Sequence, residues 1–394
     1  MAVVFDNFGP YHMARLAGAA KSMDVLGVEV AGKSAEYDWD APNAPEDLQR
    51  VRLLEDGSGR SDWSLLSAAY DDRVGRWRPD AIALPGWSSP AALAGAHWAA
   101  RCRIPAIVMS ESNANDFSRH PALEFVKRRL VTQFQAGLCG GTEARSYLAK
   151  LGMLQERISI GYDVIDNDYF ANGALVVRAS GGAPGCVNSS WRGRFFLASA
   201  RFIEKKNLPR LVEAFARYRS AVGPGAWPLV LLGDGQMRAE LERLRAQLGL
   251  GTSLLMPGFI QYGDLPLYYG SAGAFIHAST TEQWGLVVNE AMASGLPVIV
   301  SERCGCAADL VEDGCNGHTF DPRDTYALTR LMLQIASDSC DREAMGRASQ
   351  DVISRWSPQT FADGLRQAAQ VAIDAPLPRR RLLEKTLLWA MSHR

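Results

Sequence analysis

The sequence lacks several features that would assign it to a class at once. Its 394 residues carry a formal net charge of −1, so no overall positive field attracts nucleic acid, and we expect no nucleic-acid partner. Its seven cysteines are scattered and include no CxxC pair, which is typical of a protein kept in a reducing compartment. No repeat with a period of about 20 to 50 residues is present, which excludes solenoids and propellers.

Features of membrane-spanning and secreted proteins are also missing. No apolar run is long enough to cross a bilayer, and the opening MAVVFDNFGPYH has neither the basic start nor the long apolar stretch of a signal peptide. We therefore expect a cytoplasmic protein. With 47% hydrophobic and 22% charged residues the composition is that of a globular chain, and its length suggests two domains.

Short apolar runs alternate with segments of helical period in both halves of the chain. This alternation predicts βαβ units and parallel sheets. We predict strands at 1–5, 80–84, 105–109 and 157–160 in the first half, and at 195–199, 228–232, 274–279 and 297–301 in the second. Residues 179–193 crowd Gly, Ser and Pro together and are predicted to be a hinge linker.

The expected fold class is α/β, with two doubly wound, Rossmann-like domains facing a central cleft. Residues 1–185 would form the first domain and residues 186–360 the second. Residues 361–394 are expected to be a helical segment that returns to the first domain. In such sheets the ligand lies beyond the carboxyl ends of the strands.

The stretch TTEQWGLVVNEAMASGLPVIVS, residues 280–301, carries two carboxylates around a glycine. Its apolar spacing predicts a short helix over 286–294, so Glu282 lies in a loop after a strand and Glu290 lies on the helix. Gly285 would let the backbone approach a ligand, and the helix start favours an anion. Carboxylates accept pairs of hydroxyl hydrogen bonds, so the spacing suits a nucleotide sugar. Alternatively, both carboxylates are solvated surface charges.

Two cations follow another predicted strand in SARFIEKKNLPRLVEAF, residues 199–215. Arg201 offers a two-pronged fork and Lys206 a compact charge, and together they suit a diphosphate. The alternative is a solvated helix start, where acidic residues would be the better choice. In LLGDGQMRAEL, Gly233 and Gly235 end the next strand and would shape the same cleft.

These motifs resemble a known family. The Glu282 to Glu290 pair in QWGLVVNEAMASGLPVI is similar to the E-x7-E signature of family four glycosyltransferases, which are retaining enzymes of the GT-B fold. SARFIEKKNLPRLVEAF resembles the family's diphosphate-binding segment, and LLGDGQMRAEL resembles the strand and turn that follow it. The resemblance covers roughly residues 194–360 and keeps the expected order of motifs.

The resemblance implies a role for each matching residue. Arg201 and Lys206 would bind the diphosphate, Glu290 the ribose and Glu282 the transferred sugar, and Arg201, Lys206 and Glu282 are the catalytic candidates. The other donor-binding candidates are Gly9, Gly233, Gly235, Phe259, Trp284, Gly285, Leu286 and Val287.

The first half resembles the family more thinly, through FGPYHMARL and RISIGYDVIDNDYF. It departs at Gly9, which is followed by Pro10 where many relatives have a glycine pair. Loops at strand ends carry function, and the acceptor-site candidates there are Tyr11, His12, Trp87, Glu111 and Ser112. His12 would be a general base or a hydrogen-bond donor, although a lone histidine is more often structural.

No carboxylate suits the nucleophile of a double displacement. The family instead implies a front-face reaction, in which the departing phosphate helps to deprotonate the incoming hydroxyl. Two DxD segments, Asp38-Trp39-Asp40 and Asp166-Asn167-Asp168, occur in loop or turn sequence. We therefore expect no required metal and no cofactor besides the donor.

Family frequency favours a UDP-sugar donor first and a GDP-sugar second, with a glycan or lipid-linked glycan hydroxyl as acceptor in bacterial polysaccharide or glycolipid assembly. The rivals are a nucleotide-sugar epimerase or phosphorylase of the same architecture, a catalytically silent relative that only binds a nucleotide sugar or a partner, and a metal-dependent single-domain transferase.

Two basic segments raise the prospect of peripheral contact with the inner face of a membrane. The tail APLPRRRLLEKTLLWAMSHR places three arginines before a helix with one apolar face, and Lys127, Arg128 and Arg129 lie together in the first half. The alternative for the tail is a terminal helix that packs across the first domain.

Overall fold

The computed structural model describes residues 1–32, 48–55, 62–116, 119–181 and 188–376. Asp38, Asp40 and the arginine-rich tail therefore lie outside the described residues. The chain divides into two compact units, one of residues 1–165 with the described residues from Trp356 onward, and one of Asp166–Arg355.

The first unit is built on a seven-stranded parallel sheet, as the alternating pattern predicts. Its strand order is β3-β2-β1-β4-β5-β6-β7. Buried apolar side chains line both faces of the sheet, which is typical of parallel strands covered by helices on each side. The strands are β1 Ala2–Phe5, β2 Leu26–Glu29, β3 Arg50–Arg52, β4 Ile82–Pro85, β5 Ala106–Ser110, β6 Ala136–Cys139 and β7 Ile158–Ile160, and the helices among them are α1 Pro10–Ala20, α2 Trp63–Ala69, α3 Pro90–Cys102, α4 Pro121–Val131 and α5 Thr142–Lys150.

The second unit is built on a six-stranded parallel sheet of order β10-β9-β8-β11-β12-β13. It begins with α6 Asn167–Ala179, so the division falls at 165/166 and not at the 185/186 boundary expected from the linker composition. The strands are β8 Phe196–Ser199, β9 Leu229–Leu232, β10 Leu254–Gly258, β11 Ala274–His277, β12 Val298–Ser301 and β13 Gly317–Phe320. The further helices are α7 Leu208–Val222, α8 Arg238–Gln247, α9 Leu265–Ser271, α10 Leu286–Ala293, α11 Ala307–Leu310, α12 Thr325–Ala336 and α13 Arg342–Ile353.

The last described helix, α14 Pro358–Asp374, packs against α1 in the first unit. The contact is close, because a Cβ on Gly18 would lie 2.6 Å from the Pro358 carbonyl oxygen. Phe361 and Leu365 of α14 are buried in the core that this helix shares with the sheet. None of the described helices combines the length and apolar character needed to cross a bilayer.

Candidate functional site

The loops after β8 and β11 meet where the strand order of the second sheet reverses. β8 lies beside β11, with β9 and β10 on one side and β12 and β13 on the other. Connections that leave to opposite sides open a crevice at the carboxyl ends of the two central strands. Arg201 and Lys206 follow β8 and Glu282 follows β11. The sheet topology therefore brings the predicted cations and the predicted carboxylate to one place.

Two lysines and one carboxylate form the centre of this site. Lys206 Nζ donates a hydrogen bond to Glu282 Oε2, and Lys205 Nζ lies 3.5 Å from Glu282 Oε1. The Lys206 and Glu282 side chains are each only 12% exposed, so water screens their charges weakly. Lys205, which the motif analysis missed, is more exposed at 38%. Its only sequence signal is its place beside Lys206 in EKK.

Ser279 and His277 both contact the Glu282 carboxylate. Ser279 Oγ donates to Glu282 Oε2 at 3.4 Å, and His277 Nε2 lies 3.6 Å from the same oxygen. His277 is the buried last residue of β11, and burial lowers its pKa, so the imidazole is neutral at physiological pH. Neither residue is predicted from the sequence, because AFIHAS gives the signal of a buried strand.

Opposing influences set the charge of Glu282. Burial by itself would raise the pKa of Glu282. The hydrogen bond with His277 and the charges of Lys206 and Lys205 outweigh burial, and the pKa lies well below its ordinary value. Glu282 is therefore a carboxylate at any physiological pH, able to accept hydrogen bonds but not to act as an acid.

The segment from Glu282 to Gly285 is fixed against the loop after β12. The Glu282 N–H donates to Arg303 O at 3.3 Å, and the Gly305 N–H donates to Glu282 O at 3.1 Å. The Trp284 ring is buried, and its Nε1 donates to Asn289 Oδ1 at 2.9 Å. These bonds hold the loop in place where α10 begins.

Helix α10 starts beside the charged cluster. It begins at Leu286 and ends at Ala293, close to the prediction of 286–294. Gly285 has a φ of +108°, and a Cβ there would lie 3.3 Å from His277 Nε2, so glycine suits both the backbone and the space. The first turn has no acidic residue, and Leu286 and Val287 are partly exposed, so the positive end of the helix dipole is accessible at the helix start.

Gly233 and Gly235 pack against the loop that carries Arg201. A Cβ on Gly233 would lie 1.9 Å from the Ala200 oxygen, and a Cβ on Gly235 would lie 2.9 Å from the Phe202 oxygen. The Phe202 N–H donates to Asp234 O at 2.7 Å. The GDG turn thus sets the position of the partly buried Arg201, while donor contacts by the two glycines stay a prediction. Phe259, the candidate near the base, is 41% exposed after β10.

Glu290, the residue predicted to bind the ribose, is not the solvated surface charge of the alternative interpretation. It is fully buried, and its Oε2 accepts a hydrogen bond of 2.6 Å from the Tyr269 hydroxyl. A ribose reaches this carboxylate only if neighbouring side chains move. The role of Glu290 toward a ribose therefore stays a prediction.

In the first unit, Gly9 and His12 form the start of α1. The Gly9 N–H donates to His12 Nδ1 at 3.0 Å, and the His12 ring lies 4.4 Å from the Phe5 ring. Burial and the nearby Arg15 charge lower the pKa of His12 to about 3. His12 is neutral and acts as a helix cap, which favours the structural alternative over a general base.

The other acceptor candidates have different surroundings. Trp87 is buried in the core against the sheet, which favours a packing role. Tyr11, Glu111 and Ser112 are partly exposed. Glu111 follows β5 and interacts with the buried Asp163, whose pKa is raised by burial and by Glu111. Their contact with an acceptor stays a prediction.

The described DxD segment has a structural role. Asp166 caps α6, accepting a hydrogen bond from the Tyr169 N–H at 3.0 Å. Across the part of the chain that the structure describes, no group of three or more His, Cys, Asp or Glu side chains is arranged to hold a metal ion.

Residues 189–352 match the family model described as Glycosyl transferases group 1. Over this region the chain is similar to the group 1 glycosyltransferases. The predicted resemblance is confirmed over this region, which contains Arg201, Lys206, Glu282 and Glu290.

Curated relatives align with part of this chain. The lipopolysaccharide core biosynthesis glycosyltransferase LpsE of Rhizobium meliloti is 30% identical over 172 residues, which are 43% of this chain and 48% of that protein. The alpha-monoglucosyldiacylglycerol synthase of Acholeplasma laidlawii is 34% identical over 126 residues, which are 32% of this chain and 31% of that protein. The chain thus spans about half or less of the length of these relatives.

A solved structure covers nearly the whole fold of this chain. The crystal structure of Anabaena Alr3699/HepE in complex with UDP-glucose superposes with a TM-score of 0.70 at 18% identity, over 94% of this chain and 98% of that one. The likeness confirms the predicted GT-B fold.

Proposed function

We propose that this chain is a retaining glycosyltransferase that moves a hexosyl group from a nucleoside diphosphate sugar to a hydroxyl acceptor. The observation that carries the proposal is the cluster of Lys205, Lys206 and Glu282 at the start of α10, with Arg201 on the adjoining loop. Cations and helix N–H groups suit a diphosphate, and a fixed carboxylate suits sugar hydroxyls.

The chemistry assigned to these groups is electrostatic. Arg201, Lys206 and Lys205 stabilise the negative charge that develops on the leaving diphosphate as the bond between the sugar carbon and the phosphate oxygen breaks. The departing phosphate oxygen takes the proton of the acceptor hydroxyl, whose oxygen forms the new bond on the same face of the sugar. Glu282 holds a hydroxyl of the transferred sugar, and its lasting negative charge excludes it as a proton donor.

Binding of candidate nucleotide-sugar donors tests the proposal. A UDP-sugar is the first candidate, since the structural neighbour HepE was solved with UDP-glucose, and a GDP-sugar is the second. Ligands that bind only the folded state raise its stability by mass action, so UDP, GDP and their hexose conjugates are screened by thermal unfolding. Hits are then assayed for sugar transfer to glycan and glycolipid acceptors. Absence of any stabilisation by nucleoside diphosphates would contradict the proposal.

Two rivals are separated by the same assay. An epimerase would convert the donor sugar to a second nucleotide sugar without any acceptor, and chromatography of the donor alone detects this. A silent relative would bind the donor without consuming it under any acceptor condition. The transferase proposal requires consumption that depends on the acceptor.

We further propose an acceptor at a membrane surface, with α4 of the first unit as the contact. Leu123 and Phe125 are 55% and 49% exposed on this helix, and Arg129 stacks on the Phe125 ring at 5.2 Å. The one acid of the helix, Glu124, is paired with Lys127 and Arg119, so Arg128 and Arg129 add positive charge beside exposed apolar side chains. Such a surface suits an anionic bilayer. Flotation with anionic and neutral vesicles tests it, and equal recovery with both would contradict it.

A further inference from the structure

Glu290 is a carboxyl group buried without any exposure inside the second unit. A carboxylate taken out of water costs several kcal/mol unless strong hydrogen bonds replace its hydration. The Tyr269 hydroxyl supplies such a bond, donating to Glu290 Oε2 at 2.6 Å, within the range of charge-assisted O–H to carboxylate bonds. Burial and the Glu290 charge raise the pKa of Tyr269 well above its ordinary value, so the hydroxyl keeps its proton and remains a donor.

The Tyr269 side chain is held rigidly. Its ring packs edge-on to Phe170 at 5.8 Å and against Phe275 at 5.7 Å, and both phenylalanines are fully buried. Helix α9, which carries Tyr269, is pressed onto α6. At this contact a Cβ on Gly270 would lie 2.9 Å from Ala174 Cα, and a Cβ on Gly173 would lie 2.5 Å from Pro266 Cβ. The hydroxyl therefore has one location, and it fixes one oxygen of the carboxylate.

We infer that Tyr269 is the positioning residue that orients Glu290 for the diol of the donor ribose. A carboxylate offers about four acceptor sites, and Tyr269 occupies one of them on Oε2. With that oxygen fixed, the plane of the carboxylate is set before the covering side chains move and a ribose arrives, so less entropy of the Glu290 side chain is lost when the diol binds. The inference rests on the proposed nucleotide-sugar donor. It makes Tyr269 a determinant of the preference for ribose over deoxyribose, although Tyr269 would contact the carboxylate and not the sugar.

The test compares Tyr269→Phe with Tyr218→Phe. Both changes remove one hydroxyl from a buried tyrosine of the second unit, and the Tyr218 hydroxyl accepts only from the Trp227 N–H at 2.9 Å among the contacts described for it. Affinities for UDP and 2′-deoxy-UDP, or the guanine pair if GDP binds better, are measured by calorimetry. We expect Tyr269→Phe to reduce the preference for the ribonucleotide by roughly tenfold, with pyrophosphate affinity unchanged. Tyr218→Phe should lower stability but keep the preference.

A double-mutant cycle shows whether Tyr269 acts through Glu290. Glu290→Gln should remove the preference, and adding Tyr269→Phe to it should cause no further loss. If Tyr269→Phe does not fold, Glu290→Asp withdraws the carboxylate from the hydroxyl while keeping its charge, and it should lose the same preference. An unchanged preference in Tyr269→Phe or Glu290→Asp overturns the inference alone. A wild-type protein that binds no nucleoside diphosphate overturns the donor proposal itself.

Discussion

The Lys206 ammonium group donates to the Glu282 carboxylate, so a group assigned to the diphosphate and a group assigned to the sugar neutralise each other before any donor binds. Both side chains are mostly buried, and Lys205 reinforces the pair from the other carboxylate oxygen. A bound diphosphate would divide the lysine hydrogen bonds between two anions. Glu282 therefore lowers the affinity of the two lysines for a free diphosphate, while it orients the sugar.

Replacing Glu282 with glutamine should separate these two effects. Glu282→Gln removes the charge that Lys205 and Lys206 neutralise, so affinity for UDP alone should rise, by roughly tenfold for one charge-assisted bond. The rate of transfer should fall, because the carboxylate acceptor for the sugar is lost. Calorimetry and steady-state rates measure the two quantities. Glu343→Gln, at a side chain that is 93% exposed, serves as the control. Weaker UDP binding in Glu282→Gln would contradict the division of roles.

Removal of the Arg201 guanidinium should slow the chemical step. Arg201→Ala is expected to lower kcat by about a hundredfold or more, as is typical when one preorganised donor to a developing charge is lost. Arg243→Ala, which changes an exposed arginine of α8, should leave kcat within twofold or so of the wild type. Turnover of Arg201→Ala near the wild-type value would refute the catalytic assignment.

Two glycine substitutions distinguish backbone strain from displacement of the Arg201 loop. Gly249 has a φ of +61° with nothing within 4 Å of an added Cβ, so Gly249→Ala should cost only about 1 kcal/mol of unfolding free energy. Gly233 has a φ of +116°, and an added Cβ would meet the Ala200 oxygen at 1.9 Å. Gly233→Ala should cost about 3 kcal/mol or more and also reduce kcat. Denaturant titrations and rates test both, and equal stability losses would show that the loop yields freely.

His12 should make the first unit sensitive to mild acid. Its pKa is about 3 in the fold against 6.5 in an unfolded chain, so the unfolded state binds a proton first as the pH falls. The contribution of neutral His12 to the free energy of unfolding is fully present above about pH 6.5. It is lost progressively as the pH falls to about 3, and the loss is about 2 kcal/mol at pH 5. His12→Gln keeps an acceptor for the Gly9 N–H but does not titrate. Between pH 7.5 and 5 it should lose less stability than the wild type, and parallel pH profiles would disprove this.

Chelation should leave the reaction intact. Neither the cluster of Lys205, Lys206 and Glu282 nor the α6 cap at Asp166 offers a set of metal ligands. The groups assigned to stabilise the charge of the leaving diphosphate are Arg201 and the two lysines. Transfer rates after dialysis against EDTA should equal those of untreated enzyme. Full loss of activity, with recovery on adding a divalent cation, would overturn the expectation.

The alternating pattern of the sequence predicts both sheets and eight strands, because buried parallel strands are continuous apolar runs. It misses β2 and β10, and it misses β3 and β13, which lie at sheet edges and contain polar residues. It also misses β6, whose Gly137 leaves space for Leu148, since a glycine argues against a strand until its neighbour is known. Motif spacing predicts Arg201, Lys206 and Glu282. Tyr269 acts through a contact between helices α9 and α10, which no local pattern records, and Ser279 and His277 lie in a segment that gives only the signal of a buried strand.

Helix α6 belongs to the second unit and α14 to the first, which affects folding during synthesis on the ribosome. The chain enters the second unit at Asp166 and leaves it at Arg355, so the helix that completes the first unit is made only after the whole second unit. The β1 to β7 sheet must wait, with the α1 surface that receives α14 uncovered, while some 190 further residues emerge and fold. A nascent chain stalled before Ser357 should therefore expose the apolar α1 surface to chaperones. A fragment of residues 166–355 is the part suited to independent expression.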